Sequence, residues 1–111
     1  MRTTFIEPGT LRHEFSLQAA VPAGDGMGGL NEAWQEVATL FGRIEPLSQS
    51  ARFGAGQTLE ENTHRITIRS RAGVASGMRL VKQGRVFDIE SVHDPDETGR
   101  YIVCRVKEVG P

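Results

Sequence analysis

Three histidines and a single cysteine are the first side chains to weigh in this 111-residue chain as general base, thiolate nucleophile or soft metal ligand. His13, His64 and His93 lie on separate segments, and none has a Ser, Cys or Asp partner at a spacing that marks a catalytic pair. His64 falls on the apolar face of an alternating run. A packed, hydrogen-bonded imidazole is expected there, not a ligand. Cys104 has no second cysteine to bond and no clustered His to share zinc with. It sits between Val103 and Arg105 in an apolar-rich run and reads as a small buried hydrophobe. His93-Asp94-Pro95-Asp96-Glu97 gathers acids that could hold a hard cation. It lacks the alternating oxygen ligands and closing Glu of a calcium loop, so it reads as a solvated turn. The glycine-rich stretch 22–31 has no Gly-Lys-Ser/Thr ending and no helix signal after it. It reads as a hairpin loop or a loop ordered by a partner, not a phosphate cradle. No catalytic residue, metal site or cofactor site is expected.

What remains is a surface. Arg65, Arg69, Arg71, Arg79 and Arg85 crowd the stretch 63–94. Guanidinium forks match phosphate and carboxylate oxygens alike. The formal net charge is −1, from 13 basic and 14 acidic residues, so bulk charge does not make the chain a polyanion binder. With a single Tyr, a base-stacking platform for single strands is unsupported.

These arginines must be positioned by strands. In 63–94, His64, Ile66 and Ile68 share one face, and Arg65, Thr67 and Arg69 the other, the period of a half-buried strand. A break at 71–77 precedes Met78-Arg79-Leu80-Val81. Lys82-Gln83-Gly84-Arg85 is a tight turn into 86–92, with Gly84 supplying a positive φ. The stretch is expected to be a three-strand meander to which the other strands are added. Upstream, 14–21 places Phe15, Leu17, Ala19 and Val21 on one face. In 32–44, Trp34, Val37, Leu40, Phe41 and Ile44 do not keep one parity. A helix competes there, but Val37, Thr39, Ile44 and Gly42 favour a strand with a bulge near Gly42. The connection 47–62 could open with a short helix capped by Ser48 or Ser50, or be an ordered loop. The last strand, 100–109, is apolar on both parities, as if both faces were covered.

The expectation is therefore an all-β fold. It is a small single-domain antiparallel β-barrel of about six strands, with long loops and room for one short helix. The domain spans 1–111, with 1–8 as an N-terminal arm and turn chemistry at Glu7-Pro8-Gly9-Thr10. No apolar run is long enough for a membrane span, and no export leader is readable.

The landmarks also come in a recognisable order. Gly9-Thr10-Leu11-Arg12-His13 and a glycine-rich loop precede Trp34-x-x-Val37-x-Thr39-x-Phe41-Gly42-x-Ile44-x-Pro46-Leu47-Ser48. Then follow Thr63-His64-Arg65-Ile66-Thr67-Ile68-Arg69, Met78-Arg79-Leu80 and Gly84-Arg85-Val86-Phe87-Asp88-Ile89-Glu90-Ser91-Val92. This set, from Gly9 to Val106, resembles the head–tail joining proteins of tailed phages, also called head-closure, head completion or stopper proteins. Phe41-Gly42 departs from the expected Trp or Phe followed by Ala, which touches only local packing.

The resemblance implies a structural virion component that is no enzyme and needs no cofactor. It implies a β-barrel subunit of a homo-oligomeric ring, expected to be a hexamer. The ring would dock under the portal or adaptor, retain packaged DNA and offer the tail its platform. Double-stranded DNA would pass through non-specifically, and no membrane would be involved. The place implied is the head–tail interface of a virion assembled in the bacterial host cytoplasm, from a phage, a prophage or a gene transfer particle. Within such a ring the five arginines would serve subunit or adaptor contacts. Gly24, Asp25, Gly26, Gly28 and Gly29, or Arg52, Phe53 and Gln57, would sit on the loop that narrows the channel. A stand-alone oligonucleotide-binding barrel is the alternative. A small enzyme or toxin of barrel fold is a third class, and the scattered histidines argue against it.

Overall fold

Alternation of apolar and polar residues puts one face of every strand inside a closed barrel. In the computed structural model, residues 8–24, 30–47 and 62–109 are described. They form a short 3-10 turn, Pro8–Thr10, and six strands: β1 (His13–Gly24), β2 (Leu30–Pro46), β3 (His64–Arg69), β4 (Arg79–Lys82), β5 (Arg85–His93) and β6 (Tyr101–Val109). The spatial order is β1-β2-β3-β6-β5-β4, closing back onto β1, with every neighbour pair antiparallel. Closure gives every strand a neighbour on each side for at least part of its length, which removes most of the open edge that is the usual hazard of a small sheet.

The expected meander is corrected by this order. β3 and β4 follow each other in sequence but are not neighbours, because β6 pairs with β3 on one side and β5 on the other. The two-faced apolar pattern of β6 fits that place. Cys104 and Val106 enter the core, while Tyr101 and Val103, of the other parity, are also buried. The inner faces meet in one cluster of Phe15, Leu17, Ile66, Ile68, Leu80, Phe87, Ile89, Cys104 and Val106. At its centre Phe15 meets Phe87 edge to face, with ring centroids 6.3 Å apart.

The β4–β5 hairpin is as the sequence predicts. Lys82 pairs with Arg85 across a two-residue loop, with φ of 49° at Gln83 and 82° at Gly84. Two positive φ angles are the signature of a turn whose twist matches its strands. The bulge in β2 is real but lies elsewhere than predicted. Leu17 faces Ala38 and Gln18 faces Glu36, so Val37 is the extra residue. Gly42 instead sits in unbroken register, facing His13 on β1 and Ile68 on β3. A second irregularity skips Glu90 on β5. The glycine-rich loop is shorter than expected, since β1 runs on to Gly24 and β2 starts at Leu30.

Two consequences of the topology position everything that follows. β1 and β2 outrun the barrel. β4 pairs with β1 only at Ser16–Gln18, and β3 pairs with β2 only from Gly42 on, so 19–24 and their partners 30–35 continue as a two-stranded ribbon, while 36–41 still flank the barrel part of β1. The molecule is accordingly elongated, 53 × 34 × 25 Å. Strand directions also alternate around the barrel. The connections after β1, β3 and β5 therefore leave one end, and those after β2 and β4 leave the other. The stretch 48–61, where a short helix was considered, lies outside the described residues.

Candidate assembly surface

The closed interior leaves function to the outside. The five arginines of the sequence pattern do not form one patch. Arg65 on β3 reaches Glu45 across the β2–β3 seam, with Nε 3.3 Å from Oε1. Arg43 meets the other oxygen of the same carboxylate at 2.9 Å. Arg79 on β4 lies over the Trp34 ring at 4.1 Å and donates to Gln18 Oε1 at 2.7 Å, joining the barrel to the base of the ribbon. Arg85 grips Glu108 through two hydrogen bonds of 2.9 and 3.1 Å. That pairing raises the Arg85 pKa and lowers that of Glu108. These three arginines are engaged with their own chain. Arg85 is exposed and the other two are half-buried at the surface, so each contact is worth about 1 kcal/mol or less.

Arg69 and Arg71 differ. Both are exposed at the end of β3. Arg71 Nε makes a 3.4 Å contact with the Ala72 carbonyl, and neither guanidinium meets a carboxylate among the described residues. They line a concavity of about 400 Å³ with Ser70, Leu11, Leu40 and Phe41. Phe41 is 52 % exposed, a large aromatic left in solvent. It also borders a second concavity on the β1–β4 side, where Arg12 and Lys82 are balanced by Glu14 and Glu36. Composition and spacing singled out the arginines but missed Phe41. Its signal was present, because its parity is opposite to that of Leu40 and Gly42.

His64 and Cys104, read from the sequence as packed side chains, are packed in the structure. His64 packs edge to face on Phe87 at 5.4 Å, and its Nδ1 lies 2.8 Å from Thr63 Oγ1. Burial lowers its pKa, only partly offset by the nearby Glu108 carboxylate. Cys104 is fully buried, and desolvation pushes its thiol up to about 12. Thiolate attack is thereby suppressed, and a maleimide should label Cys104 only in denaturant. Labelling of the native protein at the rate of a free thiol would contradict the packing.

The acidic turn is self-contained, and more ordered than a solvated turn. Asp94 accepts from the Asp96 and Gly99 amides, at 3.2 and 2.7 Å. The Asp96 carboxylate, its side chain buried, accepts from the Thr98 amide and hydroxyl and pairs with Arg100 at 3.3 Å. The Thr98 hydroxyl, ahead of the amide and Arg100, holds the Asp96 pKa below the ordinary carboxylate range despite desolvation. No group of three or more His, Cys, Asp or Glu among the described residues could hold a metal.

The sign of the pH dependence follows. His64 is less basic folded than unfolded, so its contribution is complete above about pH 6.5 and is lost as pH falls through its lower folded value. Asp96 and Glu108 are stronger acids folded, so theirs is complete above about pH 4.5 and is lost below it. Melting temperature should therefore fall in two stages on acidification. Asp96→Asn should reduce the lower stage to the part that Glu108 carries and leave the upper one.

Comparison with known proteins decides the family. The family model of the phage head completion protein matches residues 6–109.

This chain belongs to the phage head completion protein family.

Its role is structural, at the connector between phage head and tail, and its place is the virion. Among solved structures, a solution structure of a protein from Shigella flexneri 2a is similar at 25% identity and a TM-score of 0.73, covering 93% of this chain and 96% of that one. A chain in the virion of a native gene transfer agent particle is similar at 24% identity and a TM-score of 0.66, covering 89% of this chain and 96% of that one, a likeness of fold. No curated protein matches. The resemblance read from the ordered landmarks is thus the family, and the expected small antiparallel β-barrel is its fold here.

Of the candidate channel-loop residues, Gly24 ends β1. Asp25, Gly26, Gly28, Gly29, Arg52, Phe53 and Gln57 lie outside the described residues.

Proposed function

We propose that this head completion protein assembles as a ring beneath the portal or adaptor, retains packaged DNA and presents the platform on which the tail docks. The family match along nearly the whole chain carries this reading. The work is done by contacts, with no bond made or broken. Heterologous contacts repeat around a cyclic axis, so each subunit needs two different outer faces. A barrel with a ribbon at one end and a long connection at the other offers them. One of the two candidate loops narrows the channel. β1 and β2 end at opposite ends of the barrel, so the chain enters the two stretches 25–29 and 48–61 from opposite ends. The arginines serve protein contacts more than DNA, in keeping with the carboxylates that Arg65 and Arg85 already hold.

The test is electron microscopy of particles from a strain lacking the gene. Filled heads that leak DNA and carry no tails are expected, with tails restored by the gene in trans. Normal tailed particles would refute the reading. A lone purified subunit that binds DNA with strong salt dependence would favour the oligonucleotide-binding alternative.

A further inference from the structure

We propose that the concavity between Phe41 and the pair Arg69 and Arg71 is the docking site for an extended, acidic segment of another protein of the particle, anchored by an apolar side chain. The inference rests on the connector reading above and names the chemistry of one contact within it.

Three observations converge there. The first is charge. Arg43, Arg65, Arg85 and Arg100 each hold a carboxylate, whereas Arg69 and Arg71 hold none among the described residues. A protein of formal net charge −1 that keeps two neighbouring guanidiniums without acids presents a local site for carboxylates. The second is the apolar floor. Phe41 is 52 % exposed beside Leu11 and Leu40 in a recess of about 400 Å³, room for one large side chain. The third is the backbone. β3 pairs with β2 from Gly42 to Pro46 and no further. Upstream of Gly42, that edge of β2 carries no strand among the described residues. An incoming extended segment can run on where β3 stops, taking backbone hydrogen bonds from 38–41. Its alternate side chains would then face Phe41, and its carboxylates Arg69 and Arg71. The bulge at Val37 in the β1–β2 pairing bends β2 there, so the regular stretch offered to the segment is the four residues 38–41.

The second concavity beside Phe41 is the weaker candidate, since its charges already balance. DNA phosphate would satisfy the two arginines but gives the aromatic floor no partner.

The experiment uses filled, tailless heads from the deletion strain and the purified full-length protein, with association read by co-sedimentation. Wild-type protein is expected to bind, and to bind less as salt rises. Phe41→Ser and the double variant Arg69→Glu, Arg71→Glu should each weaken association about tenfold or more while melting like wild type. A benzoylphenylalanine placed at Phe41 should cross-link to a peptide of another protein that carries at least two carboxylates beside an apolar residue. Variants that fold and bind heads as well as wild type would overturn the inference and leave the connector reading standing. So would a cross-linked peptide without acids, a cross-link to a second copy of this chain, or variant-sensitive binding to naked DNA. Wild-type protein that ignores the heads would overturn the connector reading itself, and this contact with it.

Discussion

Phe87→Ala should lower the stability of the isolated subunit by about 3–5 kcal/mol, a large part of the roughly 5–15 kcal/mol that holds a domain of this size folded. Phe87 is fully buried, on β5 between β4 and β6. Three groups rest on its ring: Phe15 edge-on at 6.3 Å, His64 edge-on at 5.4 Å, and the Arg85 guanidinium at 5.0 Å. Truncation removes transfer energy and leaves a cavity that a closed barrel collapses poorly, because β5 is hydrogen-bonded to β4 on one side and β6 on the other. Urea denaturation should show the midpoint falling with little change in slope. Phe41→Ser is the internal control, since an exposed ring should cost within about 0.5 kcal/mol. Equal losses at the two positions would mean that the interior is not where it is placed.

The second large effect is expected at Gly42. A Cβ built there lies 2.9 Å from the Thr67 carbonyl oxygen, 3.0 Å from Ile68 Cγ2 and 3.3 Å from Ile66 Cγ2. The first neighbour is backbone and belongs to the β2–β3 ladder, so it cannot rotate aside as a side chain would. Gly42→Ala should destabilise by about 1–3 kcal/mol, and Gly42→Val by more, by prying β2 from β3. Faster hydrogen exchange along 64–69 and 42–46 would localise the damage to that seam. An unchanged melting temperature for Gly42→Ala would show that β3 stands further off.

Gly42 also illustrates what the chain discloses about itself. A glycine inside an apolar run signals either a bulge or a close approach. The local pattern around Gly42 points to the first, and the structure has the second. The bulge went to Val37, whose side chain is 49 % exposed and which carries no local mark of its role. The β4–β5 turn was legible because Gln83-Gly84 is local chemistry. The order of strands was not, because whether β3 is followed in space by β4 or by β6 depends on partners far apart in the chain. That error propagated to the site. Five arginines close in sequence looked like one patch, and the insertion of β6 between β3 and β5 dispersed them. Only Arg69 and Arg71 remain together, and the aromatic that completes their surface comes from β2.

The stacking of Arg79 on Trp34 has a practical corollary. This is the sole tryptophan of the chain, and it sits where the ribbon leaves the barrel. Its emission therefore watches the root of that projecting hairpin and nothing else. If subunits or neighbours grip the ribbon during particle assembly, an optical signal from an unlabelled protein will follow the event in real time.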